Sequence, residues 1–141
     1  MYEIGVTAQF EAAHRLVGDF GPATRLHGHT YRLEAIVRGD RLDATYVLYD
    51  IGKLRAAVDG LAASLNYRDL NEMPGLAETN TTAERVADYC WETLAAELRG
   101  QSLRSLLVRV WESPQVYAAR DDSLNLQASG QPPDWSVPPP A

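Results

Sequence analysis

Two stretches of strict alternation dominate this chain. In residues 2–12, Tyr2, Ile4, Val6, Ala8, Phe10 and Ala12 fall on one side and Glu3, Thr7, Gln9 and Glu11 on the other. In residues 27–38, His27, His29, Tyr31, Leu33, Ala35 and Val37 share a face. A period of two belongs to a strand with one wet face, because successive side chains leave a pleated backbone in opposite directions. The pattern therefore predicts two long strands closing an antiparallel pair, with Gly18 and Gly21 in their connection.

The period then changes. Ile51, Leu54, Val58, Leu61 and Leu65 recur at spacings of three and four, the stripe of an amphipathic helix, and Asp50 stands where an N-cap belongs. A second helix is predicted from Thr81, where Thr81-Thr82-Ala83-Glu84 fits a capping box. Its stripe of Val86, Ala87, Cys90, Trp91, Leu94 and Leu98 ends at Gly100. Residues 103–112 and 115–120, split by Ser113-Pro114, predict two more strands joined tightly. The order β-β-α-α-β-β predicts an α+β domain with both helices on one face of a four-stranded antiparallel sheet. Such a sheet leaves its edges open, so an oligomer that pairs them is expected.

A length of 141 residues accommodates one domain, placed at residues 1–124. Residues 125–141 hold five of the eight prolines and no periodicity, and are expected to be a flexible tail. Thirteen basic against nineteen acidic residues give a net charge of −6. That balance argues against nucleic acid and against an anionic membrane surface as partners. Lys53 is the sole lysine, and the arginines alternate with acids, which reads as a solvated surface. With Cys90 as the only cysteine no disulfide can form within the chain, and no apolar run approaches the roughly 20 residues that cross a bilayer. The expected setting is cytoplasmic.

All three histidines, His14, His27 and His29, lie in one N-terminal segment. His27 and His29 are two apart and leave the same strand face, and His14 continues the apolar face of the preceding strand. If the strands pair, three imidazoles converge. Three neutral imidazoles with an open fourth position describe a catalytic zinc site, since closed structural sites favour four ligands including thiolate.

Six blocks in order carry a resemblance: FEAAHRL, LHGHTY, YVLYDIGKLR, LNYRDLN, ETNTTAE and VWES. Over about residues 3–118 the chain resembles the 6-pyruvoyltetrahydropterin synthase and 6-carboxytetrahydropterin synthase family. The resemblance implies a tunnelling fold, in which subunits join sheets edge to edge into a barrel, as a trimer or hexamer, with the site between subunits. It implies zinc (Zn2+) on His14, His27 and His29. It also implies that Glu112 grips the guanidine-like edge of a pterin, where one carboxylate accepts two parallel N–H bonds, and that Thr82 lines the same pocket.

The chain also departs from the family pattern. Ala23 stands where the family has a cysteine, four residues before the first histidine of the HGH motif, and Asn66-Tyr67 replaces its Asp-His pair. Cys90 is no substitute, because it sits on an apolar helical stripe. Asp19 and Tyr67 are the remaining candidates for proton transfer. The expected function is a zinc-dependent, lyase-like enzyme with a rewired acid-base set, acting on a pterin-like or other flat heteroaromatic small molecule by cleavage, aldol-type or condensation chemistry. Two alternatives stand beside it. One is the ordinary synthase reaction with loss of triphosphate, its phosphates met by Lys53, Arg25 and Arg68. The other is a non-catalytic zinc-containing binder of a pterin or purine.

Overall fold

The computed structural model describes residues 1–125. The two alternating stretches form β1 (Tyr2–His14) and β2 (His27–Gly39), which pair antiparallel from Tyr2 opposite Gly39 to His14 opposite His27. The linker crosses a short 3-10 turn at Gly21–Thr24, closed by Leu16 N–H donating to the Ala23 carbonyl at 2.9 Å. Two helices follow, α1 (Ile51–Leu65) and α2 (Ala83–Leu98), then β4 (Ser105–Ser113) and β5 (Val116–Ser123). Between the helices lies β3, only Arg68–Asp69.

The sheet order is β3-β1-β2-β4-β5, so the sheet has five strands, not the expected four. It is also not wholly antiparallel, because β3 runs parallel to the end of β1, with Ala12 opposite Arg68 and Ala13 opposite Asp69. A two-residue strand has no period to detect. Polar bonds fix it instead: Asn66 Oδ1 accepts from Glu11 N–H at 2.9 Å, and Tyr67 N–H donates to the Glu11 carbonyl at 2.6 Å.

One face of the sheet is covered. Phe10 and Ala12 of β1, Tyr31, Leu33, Ala35 and Val37 of β2, and Leu106, Val108 and Val110 of β4 are buried in one cluster with the helices. α1 packs on β1, and α2 on β4 and β5. Asp50 caps α1 as expected, accepting from Gly52 and Lys53 N–H. Ile51 is 55% exposed and does not join the stripe, whose buried members are Leu54, Val58, Leu61, Ala62 and Leu65. The cap of α2 falls one residue later than the capping box predicts. Thr82, not Thr81, accepts from Arg85 N–H, which moves Glu84 out of the reciprocal position.

The arginines are less solvated than their scatter suggests. Arg120 of β5 is 12% exposed in its side chain and bonds Asp88 and Glu92 of α2 and Asp122 of its own strand. Its guanidinium lies 3.8 Å from the centre of the Trp91 ring, a cation–π contact that ties α2 to the sheet margin. Cys90 is buried as a small hydrophobe, its thiol pushed up to about 12 by desolvation. Among the described residues no helix is long and apolar enough to cross a membrane. Apart from Asn125, the proline-rich stretch 125–141 lies outside the described residues.

Candidate metal and substrate site

The histidines stand on the covered face of the sheet at the end where β1 and β2 separate. Because His14 is opposite His27 and Ala12 is opposite His29, the strand register alone brings the three rings together. Ring centres are 4.5 Å apart for His14 and His27, 5.1 Å for His14 and His29, and 4.9 Å for His27 and His29. One ligand nitrogen from each ring lies within 4.8 Å of the others.

Backbone carbonyls set which nitrogen is offered. His14 Nδ1 is 2.7 Å from the Thr81 carbonyl, and His27 Nδ1 is 2.7 Å from the Arg25 carbonyl. A carbonyl only accepts, so Nδ1 carries a proton in both rings, which leaves Nε2 as the nitrogen available to a metal. Burial holds the His14 pKa below its ordinary value, the neighbouring His27 and His29 lower it further, and the Thr81 bond and Glu112 oppose them. Nε2 of His14 and of His29 are buried with no hydrogen-bond partner among the described residues. Orphaned buried nitrogens on neutral imidazoles fit a divalent metal of the kind that prefers nitrogen donors.

Glu112 is half-buried and continues the core-facing alternation of Leu106, Val108 and Val110. It lies one residue beyond the last β2–β4 pair, Arg32–Trp111, where the β4–β5 register shifts between Trp111 and Ser113, and it is close enough to act electrostatically on both Tyr31 and His14. No arginine among the described residues pairs with it, which removes the ordinary role of a strand-end glutamate. Tyr31 went unmarked as a site residue because it belongs to the apolar alternation. It is fully buried, its ring stacks on Phe10 at 4.8 Å, and it meets the rings of His29 at 5.3 Å and His14 at 6.1 Å. Burial and the nearby carboxylate both push its phenol pKa well up, so it stays protonated.

The other candidates are dispersed. Thr82 is half-buried and its hydroxyl oxygen is engaged as the α2 cap; its neighbour Thr81, fully buried, meets His14. Asp19 is exposed in the loop after β1. Tyr67 is 84% exposed in left-handed backbone, φ 58°, with its amide fixed to β1. It shares with His29 a cavity of about 490 Å³, also lined by Glu11, Thr30 and Arg68. Neither Asp19 nor Tyr67 bonds to a histidine within the chain. Lys53 is remote: α1 begins beside Tyr2 and Glu3, at the opposite end of β1 from His14, roughly 40 Å away along a 13-residue strand. Arg15, Arg25 and Arg68 instead flank the site, exposed and without a carboxylate partner among the described residues.

A family model described as 6-pyruvoyl tetrahydropterin synthase matches residues 3–122. The chain belongs to this family. The dihydroneopterin monophosphate aldolase of Pyrococcus furiosus is 33% identical over 105 residues, 74% of this chain and 84% of the relative. The 6-carboxy-5,6,7,8-tetrahydropterin synthase of Haemophilus influenzae is 26% identical over 139 residues, 83% of this chain and 96% of the relative. The same fold is seen in the 6-pyruvoyl tetrahydropterin synthase of Caenorhabditis elegans, with a TM-score of 0.72 and 24% identity over 86% of this chain and 96% of that one.

Proposed function

We propose that the chain is a zinc-dependent enzyme that cleaves the side chain of a phosphorylated pterin, with zinc held by His14, His27 and His29 and the ring gripped by Glu112. One observation carries the reading: three imidazoles converge within ligand distance of one another, near a carboxylate, Glu112, that has no ion-pair partner among the described residues and acts electrostatically on His14 and Tyr31. Zinc held there supplies Lewis acidity to substrate oxygens. Glu112 accepts two N–H bonds from the amino-pyrimidinone edge. Arg15, Arg25 and Arg68 are exposed next to the histidines or their cavity, with no carboxylate partner among the described residues, and they suit a phosphate.

The altered proton-transfer positions favour a retro-aldol over the synthase reaction. In a retro-aldol a base removes one proton from a side-chain hydroxyl and the adjacent carbon–carbon bond breaks. The electron pair enters the conjugated ring imine, and one proton returns to the carbon left behind. A single acid-base group, Tyr67 or Asp19, suffices for that exchange. The synthase reaction must also move protons between side-chain carbons and expel triphosphate, and the cysteine and Asp-His positions here hold Ala23, Asn66 and Tyr67. The aldolase among the relatives supports the same choice. Tyr67 is exposed beside the cavity it shares with His29, which suits a pocket completed by a neighbouring subunit in a trimeric or hexameric barrel.

Metal analysis of purified protein, with product-resolved incubation on dihydroneopterin monophosphate and on dihydroneopterin triphosphate, tests this reading. About one zinc per chain with release of a two-carbon aldehyde phosphate is the expected result. Triphosphate release would restore the ordinary synthase. Saturable binding without turnover of either compound would leave a binder.

A further inference from the structure

Three buried polar atoms at the site lack hydrogen-bond partners among the described residues: Nε2 of His14, Nε2 of His29 and the hydroxyl of Tyr31. A metal accounts for the two nitrogens. It does not account for the third, because a protonated phenol is a donor in search of an acceptor. An unpaired buried hydroxyl is costly, and a native core supplies a partner almost everywhere. The Tyr31 ring is held by Phe10 stacked on one side and by His14 and His29 edge-on to it. It also lies close enough to Glu112 to feel its charge, so it neighbours both groups that would hold the ends of one ligand.

We infer that Tyr31 is a substrate-binding and specificity-determining residue, whose hydroxyl donates a hydrogen bond to a side-chain oxygen of the bound pterin. The inference rests on the pterin reading above and extends it. Glu112 accepts from the ring, and Tyr31 donates to the oxygen-bearing side chain that the ring directs toward the histidines. A ligand with no oxygen on its first side-chain carbons leaves the phenol unsatisfied. The pair therefore selects a hydroxylated side chain as well as an aminopyrimidinone ring. Phenylalanine would fill the same volume without the donor, and would relieve the metal-free protein of an unpaired polar group.

The test is binding of 7,8-dihydroneopterin and of 6-methyl-7,8-dihydropterin, which lacks the side-chain hydroxyls, to zinc-loaded parent and Tyr31→Phe proteins. The variant is expected to keep its zinc and to melt no lower than the parent. It should bind 7,8-dihydroneopterin roughly three- to tenfold more weakly, the worth of one neutral hydrogen bond, and 6-methyl-7,8-dihydropterin as the parent does. Equal weakening for both compounds, or none for either, overturns the inference while the pterin reading stands. Failure of the parent to bind either compound overturns both. If Tyr31→Phe does not fold, 3-fluorotyrosine placed at position 31 keeps the hydroxyl and makes it a stronger donor. Selectively tighter binding of 7,8-dihydroneopterin then supports the inference, and unchanged binding overturns it.

Discussion

At the scale of single residues, the site is a set of lone pairs and protons assigned by neighbours. The Thr81 and Arg25 carbonyls turn two imidazoles the same way, and neither bond is legible in the spacing of the histidines. Glu112 shows what the spacing does carry: its parity with Leu106, Val108 and Val110 puts it on the histidine face. Glu112→Gln keeps the shape but swaps an acceptor-only group for one that must present a donor. The substitution should cost about 1.5–3 kcal/mol of pterin binding, the range for a hydrogen bond to a charged group, which is more than a tenfold loss. Calorimetric titration with 7,8-dihydroneopterin measures it, and undiminished affinity would remove Glu112 from the ligand-binding role.

Among the elements, legibility followed length. β1 carries seven and β2 six alternating apolar or histidine positions, and the helices repeat their stripe over four turns, so all four emerge close to their observed bounds. β3 emerges from no pattern, being two residues fixed by Asn66 and the Glu11 backbone. The α2 cap slipped by one because Thr81 and Thr82 are equivalent as text. Only the fold distinguishes them, by sending Thr81 to His14. Arg120 was similarly invisible, since nothing local marks an arginine that will be enclosed by Asp88, Glu92, Asp122 and Trp91. Arg120→Met leaves carboxylates facing each other across α2 and β5. It should lower stability by about 2–3 kcal/mol, somewhat below the range for breaking a fully buried pair because part of the group meets water. Arg120→Lys should fall between, because an ammonium keeps charge but loses the planar contact with Trp91. Urea unfolding of the parent and both variants gives the order, and equal stability of all three would reduce the cluster to surface decoration.

For the molecule as a whole, the decisive feature is an unfinished margin. β3 covers only Ala12 and Ala13, so the backbone of β1 from Tyr2 to Glu11 has no neighbouring strand among the described residues beyond β2. β5 is the other margin, with Val116 and Tyr117 exposed. Two open edges of similar length suit closure into a ring of subunits. Sedimentation should therefore give a mass three or six times the 15.6 kDa of one chain, and a monomer at micromolar concentration would rule the barrel out.

The three histidines occupy one β-hairpin, whereas Ala23, Asp19 and Tyr67 sit on segments outside its paired strands. On the proposed reading, metal retention and proton traffic are thus written into separate pieces of chain. A lineage built on this hairpin can trade one reaction for another by rewriting a few loop positions while the ion stays anchored. The same partition offers an engineer a fixed electrophilic centre around which acid and base can be exchanged at will.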